Sequence, residues 1–542
     1  ALHHMTRDFK YSIDRMVIRN SRIFGFGWVF HPDKPVKSVS IELRTADGNS
    51  VNLPVVYGKP RDDVFGHYPD SRYSQRCGFV VYGGWPAAME ISEVYLAGEA
   101  GGEAFRLPVR ATVLSGGVGS TAATHPYRMM MGRAWTLLKS GNLKQLLLKA
   151  KRYRAGKPGT HGDVVAAVRR QLEKNNCSRF MLVLDHDLGG GANNYREGLI
   201  RDRMADGCGT LLLSFHLLSL QYSLEICAPG SRQRFSISGL DVLISLAEEG
   251  LISESFYNNA VSFEHPEDVP DLLVTLRSVY AIPLTLAMHD YYPICPSHFL
   301  LDAGERYCGV PDIETCSDCL PKIDFWFVSF FESRDIRLWR SKWGACLETA
   351  DSVLCFSHAT RDLLLRAYPD LNTDRIDVVP HATGFFPARK PKLDMSTGLH
   401  IGILGEIGHH KGCDIVKALS EEIVTQNAAT RISVIGTLEA DCDSAVVTET
   451  GPYEASGLVD LVEASGANVF LFPSIWPETF SYVVDELMQL DVPIVCFDMG
   501  APAERLRHYP KGKLIPLANA RDILSQLKVF HEELARPMVI GE

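Results

Sequence analysis

In "FLFPSIWPETFSYVVDELMQLDVPIV", Phe470 to Val495, an apolar run ends at Pro473-Ser474, and Glu478 and Glu486 follow eight positions apart. The pattern after the turn is helical. A helix beginning near Thr479, with Phe480 and Ser481 in its opening turn, would present unpaired N–H groups at its mouth. Those groups and the helix dipole favour an anion such as a diphosphate. Glu478 beside the mouth can accept hydrogen bonds from sugar hydroxyls. Glu486, two turns deeper on roughly the same face, can hold a diol such as a ribose. The pair reads as two grips on one nucleotide-sugar, although by spacing alone two glutamates solvating a helix fit as well.

A second cluster lies in "HDYYPICPSHFLLDAGERYCGVPDIETCSDCLPK", which holds Cys295, Cys308, Cys316 and Cys319. Cys316-x2-Cys319 is metal-like spacing, and four thiolates can close a tetrahedral zinc site. Zinc would staple a long loop that shows no core of its own. His298 is a spare ligand. An iron–sulfur cluster, disulfides and plain buried thiols are the alternatives. A third feature is a stretch from Tyr127 to Arg154 in which eight basic residues interleave with Met, Trp and Leu and no acid occurs. Such a segment can lie on an anionic membrane surface or pack as a linker helix on its own protein.

These groups sit in 542 residues, enough for about three domains. Hydrophobic residues make up 46% and charged residues 22%, a globular balance. The net charge of −10 argues against nucleic acid as partner. No apolar run approaches the roughly 18 residues that span a bilayer. Thirteen cysteines, an odd number, point to a reducing compartment and a cytoplasmic protein. Ala1 to His4 before Met5 look like a cloning remnant.

The elements that must position the chemistry follow from periodicity. Residues 15–112 alternate in short runs cut by His31-Pro32-Asp33 and Asp47-Gly48, which predicts an antiparallel β-sandwich accessory domain. Trp28, Tyr57, Tyr73 and Trp85 there are sugar-binding candidates or simply core and rim. Residues 113–160 are a linker rich in Gly, Ser, Thr and Ala followed by the basic helix. From about Cys177 strands alternate with helices, giving a parallel, doubly wound α/β body. It divides into a Rossmann-like half over 161–390, with a Cys-rich insert at 290–322, and a second over 391–542. A cleft is expected between the halves at the carboxyl ends of their strands. In "DLGGGANNYRE", Gly189, Gly190 and Gly191 would let backbone approach a ligand, with Asn193, Asn194 and Arg196 beside them.

"PSIWPETFSYVVDELMQLDVPIVCFDMGAPAERL" resembles the donor-site signature of the retaining nucleotide-sugar glycosyltransferases with the GT-B fold, the glycogen-synthase-like and mannosyltransferase-like family four. Glu478 and Glu486 match its E-x7-E. "GILGEIGHHKGCDIVKAL" resembles the family's G-R-x4-K-G phosphate loop through Gly405, Lys411 and Gly412. Glu406 stands where that pattern has Arg, and Asp491 where it has Gly. The resemblance covers about Arg179 to Arg507 and implies residue roles. Glu478 would face the transferred sugar, Glu486 would hold the ribose, and Lys411 would neutralise the departing diphosphate. His289 matches a cleft-facing His that could touch the sugar or the acceptor. No catalytic metal is expected. The HDYYPxCP arrangement before a Cys-containing insert looks like enzymes of bacterial surface polysaccharides such as O-antigen. This implies a hexosyl or deoxyhexosyl glycosyltransferase acting on a lipid-linked glycan acceptor, peripheral at the inner face of the cell membrane. A catalytically inactive scaffold or glycan-binding subunit is the competing reading. Another GT-B enzyme, an epimerase or a phosphorylase, is a third. Deleting residues 127–154 should weaken sedimentation with anionic vesicles; unchanged binding would make that segment internal architecture.

Overall fold

The computed structural model describes residues 8–114, 157–158, 160–323, 331, 333–382 and 384–536. The basic stretch of 127–154 and most of the linker before it lie outside the described residues. The chain forms two compact units, one of Ala1–Ala287 with Pro321–Ser352, the other of Met288–Leu320 with Val353–Glu542.

The first unit opens with eight strands: β1 (Lys10–Arg19), β2 (Arg22–Phe30), β3 (Val36–Thr45), β4 (Ser50–Lys59), β5 (Gly78–Gly84), β6 (Ile91–Ala100), β7 (Glu103–Pro108) and β8 (Thr112–Val113). They make one continuous sheet in the order β7-β6-β3-β4-β5-β2-β1-β8, antiparallel except where β8 joins β1. β4 carries the continuity. Ser50 to Pro54 pair with β3, and Val55 to Lys59 pair with β5. Side chains from both ends of the sheet, among them Met16, Ile41, Phe79 and Leu96, share one core. Asp47-Gly48 forms the expected turn, with Gly48 at φ 92°. The β1–β2 turn is Asn20-Ser21, both at positive φ, the two-residue type I′ geometry that matches strand twist. Trp85 is buried in this core, and the Tyr57 hydroxyl donates to the Val29 carbonyl at 2.8 Å. Both are packing residues.

The same unit continues with β9 (Lys157–Pro158), β10 (Phe180–Leu184), β11 (Thr210–His216), β12 (Gln221–Ala228), β13 (Ser231–Ile237), β14 (Ile252–Tyr257) and β15 (Leu284–Ala287). β15, β14, β10 and β11 are parallel. β12 and β13 then run as an antiparallel hairpin, so this half is mixed and departs from the all-parallel expectation. Arg15 of β1 donates to the Leu218 carbonyl, and the Tyr82 hydroxyl to that of Ser262 at 2.6 Å, tying the first sheet to the second.

In the second unit β16 (Ser352–Cys355) pairs in parallel with β17 (Ile376–Val378). The rest is built on β18 (His400–Ile407), β19 (Arg431–Leu438), β20 (Val447–Glu449), β21 (Val469–Phe472), β22 (Ile494–Phe497) and β23 (Gly512–Ile515). All six are parallel, in the order β20-β19-β18-β21-β22-β23. Alternate residues face two cores. Ile401, Ile403, Val469 and Leu471 pack with the helices Cys413–Thr425 and Ala520–Ala535, while Leu404, Phe470 and Phe472 pack with Tyr482–Gln489. This is the doubly wound order, and it reverses between β18 and β21. Among the described residues no helix is long and apolar enough to cross a membrane.

In the first unit, the helix Ile336–Thr349 buries Trp339 and Trp343, the latter edge-on to Tyr257 with centroids 4.9 Å apart. Trp343→Ala should cost about 3–5 kcal/mol in a urea melt; an unchanged midpoint would contradict this core assignment.

Candidate functional site

Ligands of open α/β sheets bind outside the carboxyl ends of the strands, at the point where strand order reverses. Here that point is flanked by the loops after β18 and β21. The first runs through Gly408 and a short 3₁₀ turn, His409–Lys411, to Gly412 at φ 86°. A Cβ on Gly412 would lie 2.0 Å from the Pro473 carbonyl oxygen, so only glycine lets the two loops meet. Ile475 N–H then donates to the His410 carbonyl at 3.1 Å. Gly405 lies inside β18 at φ 112°.

Glu478 is held by its backbone. Its N–H donates to Trp476 O at 2.9 Å, and its carbonyl accepts from Ala501 N–H at 2.8 Å. The Tyr291 hydroxyl donates to the adjoining Pro477 carbonyl at 2.6 Å. The side chain is 4% exposed, and among the described residues Oε1 has no hydrogen-bond partner. Burial pushes the carboxyl above its ordinary range; the Lys411 charge and the Ser474 and Ser481 hydroxyls pull it back only in part. Glu486 is half-buried and accepts from the Tyr453 hydroxyl at 3.2 Å. Burial raises it too, and the field of Lys411 opposes this. Lys411 therefore acts on both carboxylates. Glu406 is exposed, and its charge reaches Tyr453.

The helix carrying Glu486 is Tyr482–Gln489, capped by the Ser481 hydroxyl accepting from Val484 N–H at 3.3 Å. It starts three residues later than expected. Glu478 lies in the preceding loop and Glu486 little more than one turn in, because Ser481 is the better N-cap and Thr479 is engaged elsewhere. The Thr479 hydroxyl donates to the His289 carbonyl at 2.7 Å. Phe480 lies under the Arg505 guanidinium, 5.2 Å from ring centroid to Cζ. The side chains of Thr479, Phe480 and Ser481 thus frame Glu478, with hydroxyls and ring engaged inside the protein.

The His289 ring stacks on Phe356, centroids 4.6 Å apart, and lies 5.4 Å from His381. Sequence reading missed His381, although it closes a strand, "IDVVPH", as His289 follows "LTLAM". Its Nδ1 is 3.2 Å from the Tyr482 hydroxyl, and burial pushes its pKa down to about 4.

The Gly189–Gly191 turn belongs to the first unit. Gly190 caps the helix Gly191–Ala205 at φ 89°. The Asn193 side chain, a candidate ligand contact, is engaged within the turn itself. Its Oδ1 accepts from Gly189 N–H at 2.7 Å, and its Nδ2 donates to Asp185 at 2.7 Å and to the His186 carbonyl at 2.9 Å. Arg196 joins the same buried Asp185 at 2.8 Å. These side chains shape the glycine turn from beneath.

The four-cysteine zinc expectation finds no support. Among the described residues no group of three or more His, Cys, Asp or Glu is placed to hold a metal ion. Cys316 and Cys319 lie on the helix Ile313–Cys319, and burial pushes the Cys308 thiol up to about 11. The premise of a coreless loop fails. Tyr291, Tyr292, Ile294, Leu300, Leu301 and Val310 are buried, and Phe299 stacks on His410 at 4.3 Å and lies 4.5 Å from Trp476.

Residues 398–532 match the family described as glycosyl transferases group 1. No curated protein matches the chain. Among solved structures it is similar to Anabaena Alr3699/HepE in complex with UDP and glucose, at 14% identity and TM-score 0.42 over 66% of this chain and 90% of that one. It is similar to WaaG, a glycosyltransferase involved in lipopolysaccharide biosynthesis, at 12% identity and TM-score 0.38 over 66% and 94%. A glycosyltransferase from Rickettsia africae ESF-5 aligns at 11% identity and TM-score 0.36 over 66% and 89%.

Burial raises Glu478 above 4.5, so its contribution to stability is full below that pH and is lost as pH rises through the folded value. Glu478→Gln should therefore melt above the native chain at pH 7, by about 2–4 °C per kcal/mol recovered, and the gap should close in acid. A variant no more stable at neutral pH would show that the carboxylate is better solvated than its burial implies.

Proposed function

We propose that this chain is a retaining glycosyltransferase of the GT-B kind. It would move a hexosyl or deoxyhexosyl group from a nucleotide-diphosphate sugar to a growing, lipid-linked surface glycan. The observation that carries the donor half of this reading is the convergence of Lys411, Glu478 and Glu486 at the strand-order reversal of a Rossmann sheet. It falls inside the segment that matches glycosyl transferases group 1.

In this reading residues 391–542 are the donor domain, 161–390 the acceptor-side domain, and 15–112 an accessory domain. Glu478 accepts hydrogen bonds from the transferred sugar and Glu486 from the ribose. The bond between the anomeric carbon and the diphosphate oxygen breaks, and its electron pair leaves with the diphosphate. The acceptor hydroxyl oxygen bonds the anomeric carbon on the same face and gives its proton to the departing phosphate oxygen. Lys411 offsets the charge that develops there, where a fixed cation counts most. His289 is a sugar or acceptor contact, and the Gly189–Gly191 turn a backbone contact. The basic stretch of 127–154 would hold the protein to an anionic membrane face.

An inactive scaffold or glycan-binding subunit is the second reading. Glu406 favours it, since an acid in place of the expected Arg weakens the hold on a diphosphate. A thermal-shift panel of nucleotide-sugars separates the two. A donor at a hundred times its Kd should stabilise the native chain by about 2.7 kcal/mol, and Glu486→Ala should lose that shift. No shift with any nucleotide-sugar would put the scaffold ahead.

A further inference from the structure

The loop between β21 and the Glu486 helix holds two polar atoms with unmet hydrogen bonds. Trp476 is 8% exposed, and its indole Nε1–H has no partner among the described residues. Glu478, two residues on, is 4% exposed, and its Oε1 has none among them either. Buried donors and acceptors are almost always paired in folded proteins, and an unpaired one is costly. Here one of each kind lies in the same short loop, whose backbone is fixed on three sides. Ile475 bonds to His410, Pro477 to Tyr291, and Glu478 to Ala501. The loop cannot easily turn either group toward a new partner within the protein.

We infer that Trp476 is a specificity-determining residue of the donor site. Its indole N–H and Glu478 Oε1 together bind one hydroxyl of the transferred sugar. A sugar hydroxyl meets both needs, accepting from the indole and donating to the carboxylate in the place a water would otherwise take. Neither atom is open to water in this state, so the hydroxyl reaches them only when the side chains over them shift. Phe299, brought by the Cys-rich insert, packs on the Trp476 ring with centroids 4.5 Å apart and is a side chain whose shift would loosen that packing. The insert then acts on sugar choice through an aromatic wall. This inference rests on the donor-site reading above.

Trp476→Phe keeps a flat apolar ring and removes the N–H. Binding of UDP, GDP, UDP-glucose and GDP-mannose to the native chain and to this variant, measured by titration calorimetry, tests the assignment. The nucleotide-sugar should lose roughly tenfold in affinity, the worth of one buried hydrogen bond, while the parent nucleotide binds as before. Equal loss for nucleotide and nucleotide-sugar, or no loss at all, overturns the inference and leaves the donor site standing. If none of the four probes binds the native chain, the donor-site reading falls and the inference with it. If the variant fails to fold, singly deoxygenated analogues of the sugar-nucleotide that binds, titrated against the native chain, decide instead. One of them should show the same tenfold loss, and a series that binds uniformly overturns the assignment.

Discussion

The close approach of Gly412 to the Pro473 carbonyl governs the rest of the second unit's chemistry. Any side chain there would drive a carbon to 2.0 Å from an oxygen, and the loops after β18 and β21 would have to part. Lys411 stands beside that glycine, and Glu478 five residues beyond that proline. One missing methyl group therefore sets the separation of the cation and the carboxylate. Gly500 plays a matching part on the other side, where a Cβ would meet Pro477 C at 2.6 Å and Glu478 N at 2.8 Å. Glu478 is placed by backbone packing, with little freedom left to its side chain.

Placement of this kind has an energetic cost. A carboxylate taken from water is destabilised unless charge and hydrogen bonds replace its hydration. Glu478 has Lys411 and two hydroxyls in partial compensation, and one oxygen goes unmet. His381 shows the opposite case. Burial holds its imidazole neutral, so it acts as a hydrogen-bonding ring beside Tyr482. Such unmet groups are tolerated where the surrounding backbone over-determines them, as the loop of 473–478 does.

What could be read in sequence was what repeats or alternates. The strands of the second unit are continuous apolar runs, as parallel strands covered on both faces must be, and their order follows from alternation with helices. Glu478, Glu486 and Lys411 stood out by type and spacing, and the fold brings them together. The helix boundary did not, because Thr479 and Ser481 are both plausible caps and only the hydroxyl-to-His289 bond removes one from contention. Asn193 looked like a ligand residue because polarity near glycines is the same whether it points out or in. The β12–β13 hairpin does carry a turn dipeptide, Pro229-Gly230, but the Leu217–Leu220 turn that leads into it from β11 has none, so the antiparallel return was not legible. The cysteine spacing was metal-like, yet burial of Tyr291, Leu300 and their neighbours answered the need for a core by another route.

The path of the chain between the units carries a consequence for biosynthesis. Residues 288–320 belong to the second unit but precede most of it, and the chain returns to the first unit before the rest is made. Phe299 finds its partners at His410 and Trp476, and Tyr291 at Pro477. At translation rates of about 5–20 residues per second, an aromatic-rich segment waits roughly ten to thirty seconds for the sequence that covers it. During that interval its apolar side chains are available to chaperones and to neighbouring nascent chains. The second unit is thus completed from its C-terminal side, and a ribosome that stalls before Trp476 leaves the insert uncovered.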